Sequence, residues 1–165
     1  MKLKVKYAIY NHKDYLLNIR NDRLRLRTHE PEQGFRELVD QTGNMTNLFI
    51  KDVTKEEVDL VYELKFLVAY KGKEFEPYSL GRHILDENEI SLFSMDSNDV
   101  DCYGFEKQEQ FVFKKDVPLN DIESIIEVKK PLLIFEDLPE SRKVIPRGET
   151  REFIMKLDSL YNGNS

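Results

Sequence analysis

The chain has 165 residues, 40% of them hydrophobic, and a formal net charge of −6 at pH 7, which is enough apolar material for one or two small globular domains. No apolar run approaches the roughly 18 residues that a membrane span needs, and the amino terminus alternates charged and apolar residues, so neither a membrane anchor nor a signal peptide is expected. The single Cys102 cannot form an internal disulfide, which fits a reducing compartment, and we therefore predict a cytoplasmic protein.

The negative charge is unevenly distributed along the sequence. Residues 1–64 hold 11 basic and 11 acidic side chains, residues 65–129 hold 8 and 14, and residues 130–165 hold 6 and 6. The whole acidic excess therefore lies in the second segment. Because binding to a phosphate backbone needs a basic surface, this distribution disfavours nucleic acid as a general partner and favours a basic protein.

The first thirty residues predict two successive hairpins. Apolar residues alternate with lysines from Leu3 to Ile9, the pattern of a half-buried strand, and Asn11-His12-Lys13 supplies a turn into a strand at 15–19. A second turn at Asn21-Asp22 leads into a strand at 23–27, where Leu24 and Leu26 face inward. The outward residues form the densest cationic stripe of the chain, which consists of Arg20, Arg23, Arg25 and Arg27. This stripe is a solvated strand face, a sheet edge whose charges prevent pairing with other chains, or a recognition surface.

The segment at 29–70 predicts a long connection, then a strand, and then a region whose pattern fits both a helix and a strand. Residues 29–43 are polar, with at most one helical turn around Phe35, Leu38 and Val39, and strand character returns at 47–53. Thr54 and Glu57 have the spacing of a capping box, which favours a short helix at 54–60. The apolar alternation from Leu60 to Tyr70 favours a long strand instead. A one- or two-turn helix that continues into a strand satisfies both patterns.

The second half begins with a predicted hairpin and contains an acidic segment. Lys71-Gly72-Lys73 closes a hairpin onto a strand at 75–80, in which Pro77 suggests an edge position, and further strands are expected at 89–95 and 111–115. Residues 96–101 are rich in aspartate, but Val100 occupies a ligand position and the glycine of a calcium loop is missing. We interpret this segment as an acidic loop and add its aspartates to the candidate interaction surface: Asp96, Asp99 and Asp101.

The carboxyl-terminal segment predicts a strand and a helix. The run 132–135 is apolar enough for a buried strand. Apolar residues then recur with helical spacing from Phe153 to Tyr161, acidic residues lie near the start of the pattern, and Gly163 follows its last turn. An amphipathic helix is therefore expected at about 149–161, packed across the rest of the protein, with a partner-binding helix as the alternative.

The segment at 49–65 recurs at 113–129, and this repeat organises the whole chain. An ungapped alignment of these 17-residue segments gives 6 identical positions. Upstream landmarks recur in the same order, among them Tyr10 with Tyr70 and Gly34 with Gly104. We infer an internal duplication with modules at 1–64 and 65–129, followed by a segment at 130–165 that packs on them.

The predicted fold class is mainly β, with some helix. Each module is a small antiparallel barrel or curved sheet with a short helical turn before its last strand, and the amphipathic helix follows the second module. This arrangement resembles Src-homology-3-like and Tudor-like barrels in topology. The Tyr-x-x-Lys hairpins and the repeated Lys-Asp-Val segments are also similar to duplicated small proteins of Gram-positive bacteria, some of which accompany secreted toxins as immunity factors.

No catalytic constellation is visible in the sequence. His12, His29 and His83 have neither metal-ligand spacing nor a partner cysteine, and no glycine-rich phosphate loop is present. We nominate no catalytic, metal or cofactor-binding residue and expect no cofactor. The sequence thus favours a non-catalytic binding protein whose partner is another protein, such as a basic toxin that it neutralises. The alternatives are a tandem barrel that binds nucleic acid through Arg20–Arg27, and an enzyme without a recognisable motif.

Overall fold

The computed structural model of the chain describes residues 4–162, so Leu3 of the first predicted strand and Gly163 after the predicted helix lie outside the described residues. The chain divides into two compact units. The first unit consists of Val5–Leu64 and Lys129–Glu140, and the second includes Lys65–Val128 and the chain from Ser141 onward. Among the described residues, no helix has the length and apolar character that crossing a bilayer requires.

The first unit is an antiparallel sheet built from successive hairpins. Its strands are β1 (Lys4–Tyr10), β2 (Lys13–Arg20), β3 (Arg23–Thr28), β4 (Arg36–Val39), β5 (Met45–Val53) and the start of β6 (Leu60–Tyr70). They lie in the order β4-β5-β3-β2-β1, with β6 next to β1. The two-residue turns that join β1 to β2 and β2 to β3 place both central residues at positive φ, between 49° and 66°. Asn and Asp tolerate that conformation, which matches the natural twist of a hairpin.

The core of the first unit follows from the alternation along its strands. Leu24 and Leu26 on β3 are fully buried, and Leu17 and Tyr15 on β2 are nearly so. They pack with buried residues of β1, β5, the turn after β5 and the start of β6, namely Ala8, Val53, Val58 and Val61. Phe35, Leu132, Leu133 and Phe135 cover this cluster from outside the central strands. Burial of an apolar side chain stabilises a fold by about 1.5–3 kcal/mol, so these alternating positions fix which face of the sheet points inward.

The second unit combines a similar sheet with three helices. Its further strands are β7 (Lys73–Pro77), β8 (Glu89–Ser94), β9 (Glu106–Glu109), β10 (Val112–Pro118), β11 (Ser124–Pro131) and β12 (Ser141–Pro146). The order is β9-β10-β8-β7-β6, and β11 pairs with β6 and β12. Its helices are α1 (Arg82–Glu87), α2 (Asn98–Tyr103) and α3 (Thr150–Asn162). On α3, Ile154 and Leu157 are buried and the Phe153 ring meets the Phe66 ring edge-on at 5.8 Å.

Strand pairings in the two units have matching registers. In the first unit, β3 places Leu24 opposite Val53 and Leu26 opposite Lys51 on β5. In the second unit, β8 places Ile90 opposite Val117 and Leu92 opposite Lys115 on β10. The segment after β5 is a turn and the segment after β10 is a short 3-10 helix, Leu119–Asp121, and each leads into the next long strand. The two copies of the repeated sequence segment therefore adopt the same strand–turn–strand structure.

The prediction of a mainly antiparallel β protein with a terminal amphipathic helix is confirmed. The described strand pairings form an open sheet, because β4 and β9 each end the order of their unit. The segment at 54–60, for which a one- or two-turn helix that continues into a strand was expected, contains only the shorter alternative. It is a single turn in which the Glu57 amide donates to the Thr54 carbonyl at 3.1 Å, and Glu57 Oε1 accepts from the Thr54 amide at 3.0 Å. The glutamate half of the capping box forms, while the Thr54 hydroxyl donates to the same carboxylate, and strand β6 begins at Leu60 before a helix can continue.

Several other elements differ from their predictions. The connection at 29–43 contains β4, whose four residues are too few for alternation to be recognised. The apolar run at 132–135 is a 3-10 helix rather than a strand, and Leu133 has a φ of 58° that no strand allows. Pro77 does not lie on an edge strand, since β7 has neighbours on both sides. Proline is tolerated there because it is the last residue of β7.

Substitutions at two register-matched core positions test the description of both units. Leu24 and Ile90 are each 0% exposed, so Leu24→Ala and Ile90→Ala should each lower the free energy of unfolding by about 2–5 kcal/mol through lost burial and a residual cavity. Met45→Ala is the control, because Met45 is 68% exposed and its truncation should change stability by no more than about 0.5 kcal/mol. Urea denaturation monitored by circular dichroism measures all three. Equal stability of the core and control variants would contradict the assigned inward face.

Candidate functional site

The outward face of β3 carries three of the four arginines that the sequence nominated. Because Leu24 and Leu26 point into the core, Arg23, Arg25 and Arg27 alternate onto the opposite face of the same strand. Arg20, at the end of β2, is directly opposite Arg23 in the β2–β3 pairing. The structure therefore brings Arg20, Arg23 and Arg25 together on one side of the first sheet.

An aspartate on the neighbouring strand orients Arg25. Arg25 and Asp52 are opposite each other in the β3–β5 pairing, and Arg25 Nε donates to Asp52 Oδ1 at 2.8 Å while Nη2 donates to Oδ2 at 3.3 Å. Arg36 on β4 approaches the same carboxylate at 3.8 Å. The hydrogen bonds from Arg25 are the main cause that lowers the pKa of Asp52, and burial opposes them. Asp52 thus holds the Arg25 guanidinium in a fixed orientation on the sheet surface.

These side chains surround a depression in the surface, which we call the arginine face. Its volume is about 630 Å³, and it is lined by Asn18, Arg20, Asn21, Arg23, Arg25 and Asp52. Like charges directly opposite each other in an antiparallel pair destabilise a sheet, so the Arg20–Arg23 pair is a local cost in the isolated protein. Three guanidinium groups and one carboxylate leave this depression with a net positive charge.

Arg27 does not share this position. It is half-buried, it lies opposite the buried Ile50, and its Nε atom is buried without a hydrogen-bond partner among the described residues. It does not line the arginine face. Sequence alternation placed it correctly on the outward side of β3 but could not show that neighbouring strands would cover it.

The aspartates nominated at 96–101 have a different environment from the predicted loop. Asp99 is 1% exposed in helix α2 and accepts hydrogen bonds from Lys73 Nζ at 2.7 Å and from Ser94 Oγ. Asp96 also contacts Lys73, at 3.4 Å, and its pKa is lowered chiefly by a hydrogen bond from the Asn98 amide. The expectation of a solvated acidic loop is therefore wrong for Asp99, since helix formation buries it against β7. Asp101 remains exposed.

The structure adds residues that sequence reasoning did not nominate. Asn18, Asn21 and Asp52 line the arginine face, and Asp52 could have been found because it alternates with Val53 on a predicted strand.

Ser79 Oγ lies 2.8 Å from His83 Nε2 at the start of α1, a local contact between a loop and a helix. Within residues 4–162, no three His, Cys, Asp or Glu side chains are grouped as a metal site would require.

The ionisation of Asp52 tests the geometry of the arginine face. Because Arg25 lowers the folded-state pKa of Asp52 below its ordinary value of 3.8, their pairing stabilises the fold above about pH 3.8 and this contribution is lost as the pH falls through the lowered pKa. Arg25→Gln should raise the pKa of Asp52 back towards 3.8, as measured by carboxyl carbon NMR titration. Arg82→Gln, in the second unit, should leave it unchanged. An unaltered Asp52 titration in Arg25→Gln would show that the two side chains do not interact.

Comparison with known proteins identifies the family of this chain. The model of the family described as "Uncharacterised conserved protein UCP033725" matches residues 2–132. No curated protein and no solved structure matched the chain. The match covers both copies of the repeated segment, the arginine face and most of the second sheet. Because it spans well over half of the sequence, the chain belongs to this uncharacterised conserved protein family.

Proposed function

We propose that this protein binds another protein without catalysing a reaction, and that the arginine face is its principal contact. The observation that carries this proposal is the direct opposition of Arg20 and Arg23 beside an Arg25 that is already oriented by Asp52. A fold gains nothing from two like charges placed opposite each other. Local features that cost stability are expected where a function requires them.

A carboxylate of the partner is the group that best fits the arginine face. Planar guanidinium groups bind carboxylates through paired hydrogen bonds, and such bonds to charged groups are stronger than neutral ones. Because Asp52 already orders Arg25, less side-chain entropy is lost when an acidic group binds beside it. Asn18 and Asn21 supply amide groups at the same depression. An acidic side chain or a short acidic segment would remove the repulsion between Arg20 and Arg23.

Nucleic acid is the second candidate, and the same arginines favour it. One feature of the face makes it the weaker choice: Arg27, which would extend the cationic stripe along the strand, is half-buried. A long polyanion would also be repelled by a chain of net charge −6, whereas a localised acidic patch on a protein would be repelled less.

We also propose that the two units arose by internal duplication of one small sheet module. Matching strand orders and registers support this. Side-chain contacts support it as well, because Tyr15 stacks on Phe35 with a centroid distance of 5.2 Å and Phe75 packs on Phe105 at 4.9 Å. A lysine covers the first ring of each pair, Lys13 at 5.3 Å and Lys73 at 5.4 Å. Independent origins would not be expected to reproduce these contacts at matched positions.

A cytoplasmic immunity protein that neutralises a secreted toxin is the specific role that we favour among protein-binding functions. Such proteins act by occupying a surface of the toxin, so they need complementary charge and no catalytic group. The arginine face would meet acidic groups of the toxin. The acidic excess of residues 65–129 would meet its basic groups.

Titration with short labelled peptides tests the arginine face. A hexaglutamate peptide should bind, a hexaglutamine peptide should not, and Arg23→Gln should weaken hexaglutamate binding about tenfold, which corresponds to about 1.4 kcal/mol. Arg82→Gln is the matched control, because it removes the same charge from the second unit. Fluorescence anisotropy at increasing salt gives the affinities.

Two outcomes would contradict the proposal. Equal affinity of the Arg23→Gln and Arg82→Gln variants would show that only the net charge of the protein matters. Tighter, salt-sensitive binding of a labelled oligothymidine than of hexaglutamate would favour the nucleic-acid alternative.

A further inference from the structure

The second unit has a surface at positions that match the outward face of β3 and β5, but its chemistry is different. The Arg25–Asp52 pair of β3 and β5 is matched by Ser91 and Asp116, which are opposite each other on β8 and β10. By the same registers, Phe93 takes the position of Arg27 and Glu89 that of Arg23. The three arginines of β3 are thus matched on β8 by an acidic, a hydroxyl and an aromatic residue: Glu89, Ser91 and Phe93.

Two aromatic rings form the centre of this surface. Tyr78 follows β7, its amide donates to the Ser91 carbonyl at 3.0 Å, and 41% of the residue is exposed. Its ring lies 5.2 Å from that of the half-buried Phe93, at an interplanar angle of 58°. A tyrosine ring left open to solvent offers an electron-rich face to a cation.

A cation of the chain itself already uses this ring. Lys114 Nζ lies 5.7 Å from the centroid of Tyr78 and 3.5 Å from Asp116 Oδ1. The ammonium group is therefore held by an aromatic face and a carboxylate together. Lys114 shows, inside one molecule, the combination of contacts that an external lysine or arginine would make.

Carboxylates lie on the same face of the sheet as the rings. Glu76 is opposite Phe93 in the β7–β8 pairing, and Glu89 is exposed at the start of β8. Asp116 is exposed, and Ser91 Oγ donates to its Oδ1 at 2.6 Å, which fixes the carboxylate. We call these five residues the aromatic–acidic face: Glu76, Tyr78, Glu89, Phe93 and Asp116. The segment 65–129 that contains them holds 14 acidic and only 8 basic side chains, so its field attracts cations.

We propose that the aromatic–acidic face binds an arginine or lysine side chain from a basic segment of a partner protein. The cation stacks on Tyr78, its N–H groups donate to Asp116 or Glu76, and Lys114 moves aside. Arginine fits better than lysine, because a planar guanidinium stacks on a ring and donates to a carboxylate at the same time. This face shares no residue with the arginine face and does not depend on it.

Titration with a small cationic peptide tests this inference. Acetyl-Gly-Arg-Gly-Arg-Gly-amide should bind and shift the NMR signals of the Tyr78 ring, whereas the peptide with citrulline in place of arginine should not. Tyr78→Leu should weaken binding about fivefold to tenfold, and Tyr78→Phe should retain it because the ring face makes the contact. Circular dichroism shows whether each variant is folded.

A substitution at Lys114 is expected to strengthen binding of the arginine peptide, whereas Tyr78→Leu is expected to weaken it. Lys114→Gln frees the ring and Asp116, so it should strengthen binding of the arginine peptide about threefold or more. Lys107→Gln removes the same charge from the exposed strand β9 and should have a smaller effect. Equal gains from these two variants, or unchanged binding by folded Tyr78→Leu, would overturn the proposal. Arg23→Gln should bind the cationic peptide normally, which separates this result from failure of the arginine face.

Discussion

The two-residue period of a half-buried strand is the constraint on which the rest of this structure depends. Leu24 and Leu26 on β3 are fully buried, so Arg23 and Arg25 must point to the opposite face. Antiparallel pairing then determines what each arginine meets: Arg20 from β2 and Asp52 from β5. The position of the arginine face follows from the burial of two leucines, and a shift of β3 by one residue would bury the arginines and abolish it.

Sequence periodicity was sufficient to predict the strands of the hairpins and the terminal helix, because each spans several repeats of its pattern. It failed at short elements. Strands β4 and β9 have four residues each, and helices α1 and α2 have six, which is too short for a period to be recognised. The apolar run at 132–135 was mistaken for a strand because composition does not report the left-handed conformation of Leu133. Its hydrophobic residues cover the first core without joining the sheet.

The candidate site was predictable in part. Outward alternation identified Arg23 and Arg25, and proximity in the sequence added Arg20. The selection of Asp52 as the partner of Arg25 depends on the β3–β5 register, which connects residues 27 positions apart. Asp99 shows the opposite case, since an acidic run in the sequence gives no sign that one member will be 1% exposed and bonded to Lys73. The Arg25–Asp52 contact and the burial of Asp99 both depend on contacts between residues far apart in the sequence, and a local sequence pattern does not report such contacts.

The contacts of Lys13 and Lys73 have a consequence for how each unit holds its edge strand. Lys13 binds Glu32, which precedes β4, and Lys73 binds Asp99, which precedes β9. These carboxylates come from segments of different length and structure, an irregular connection in one unit and helix α2 in the other. In each unit the ion pair attaches the segment that precedes the edge strand to the lysine that begins the second strand. Because this ion pair holds the chain ahead of the edge strand, that strand keeps its place in the sheet although the preceding segments of the two units differ in length and structure.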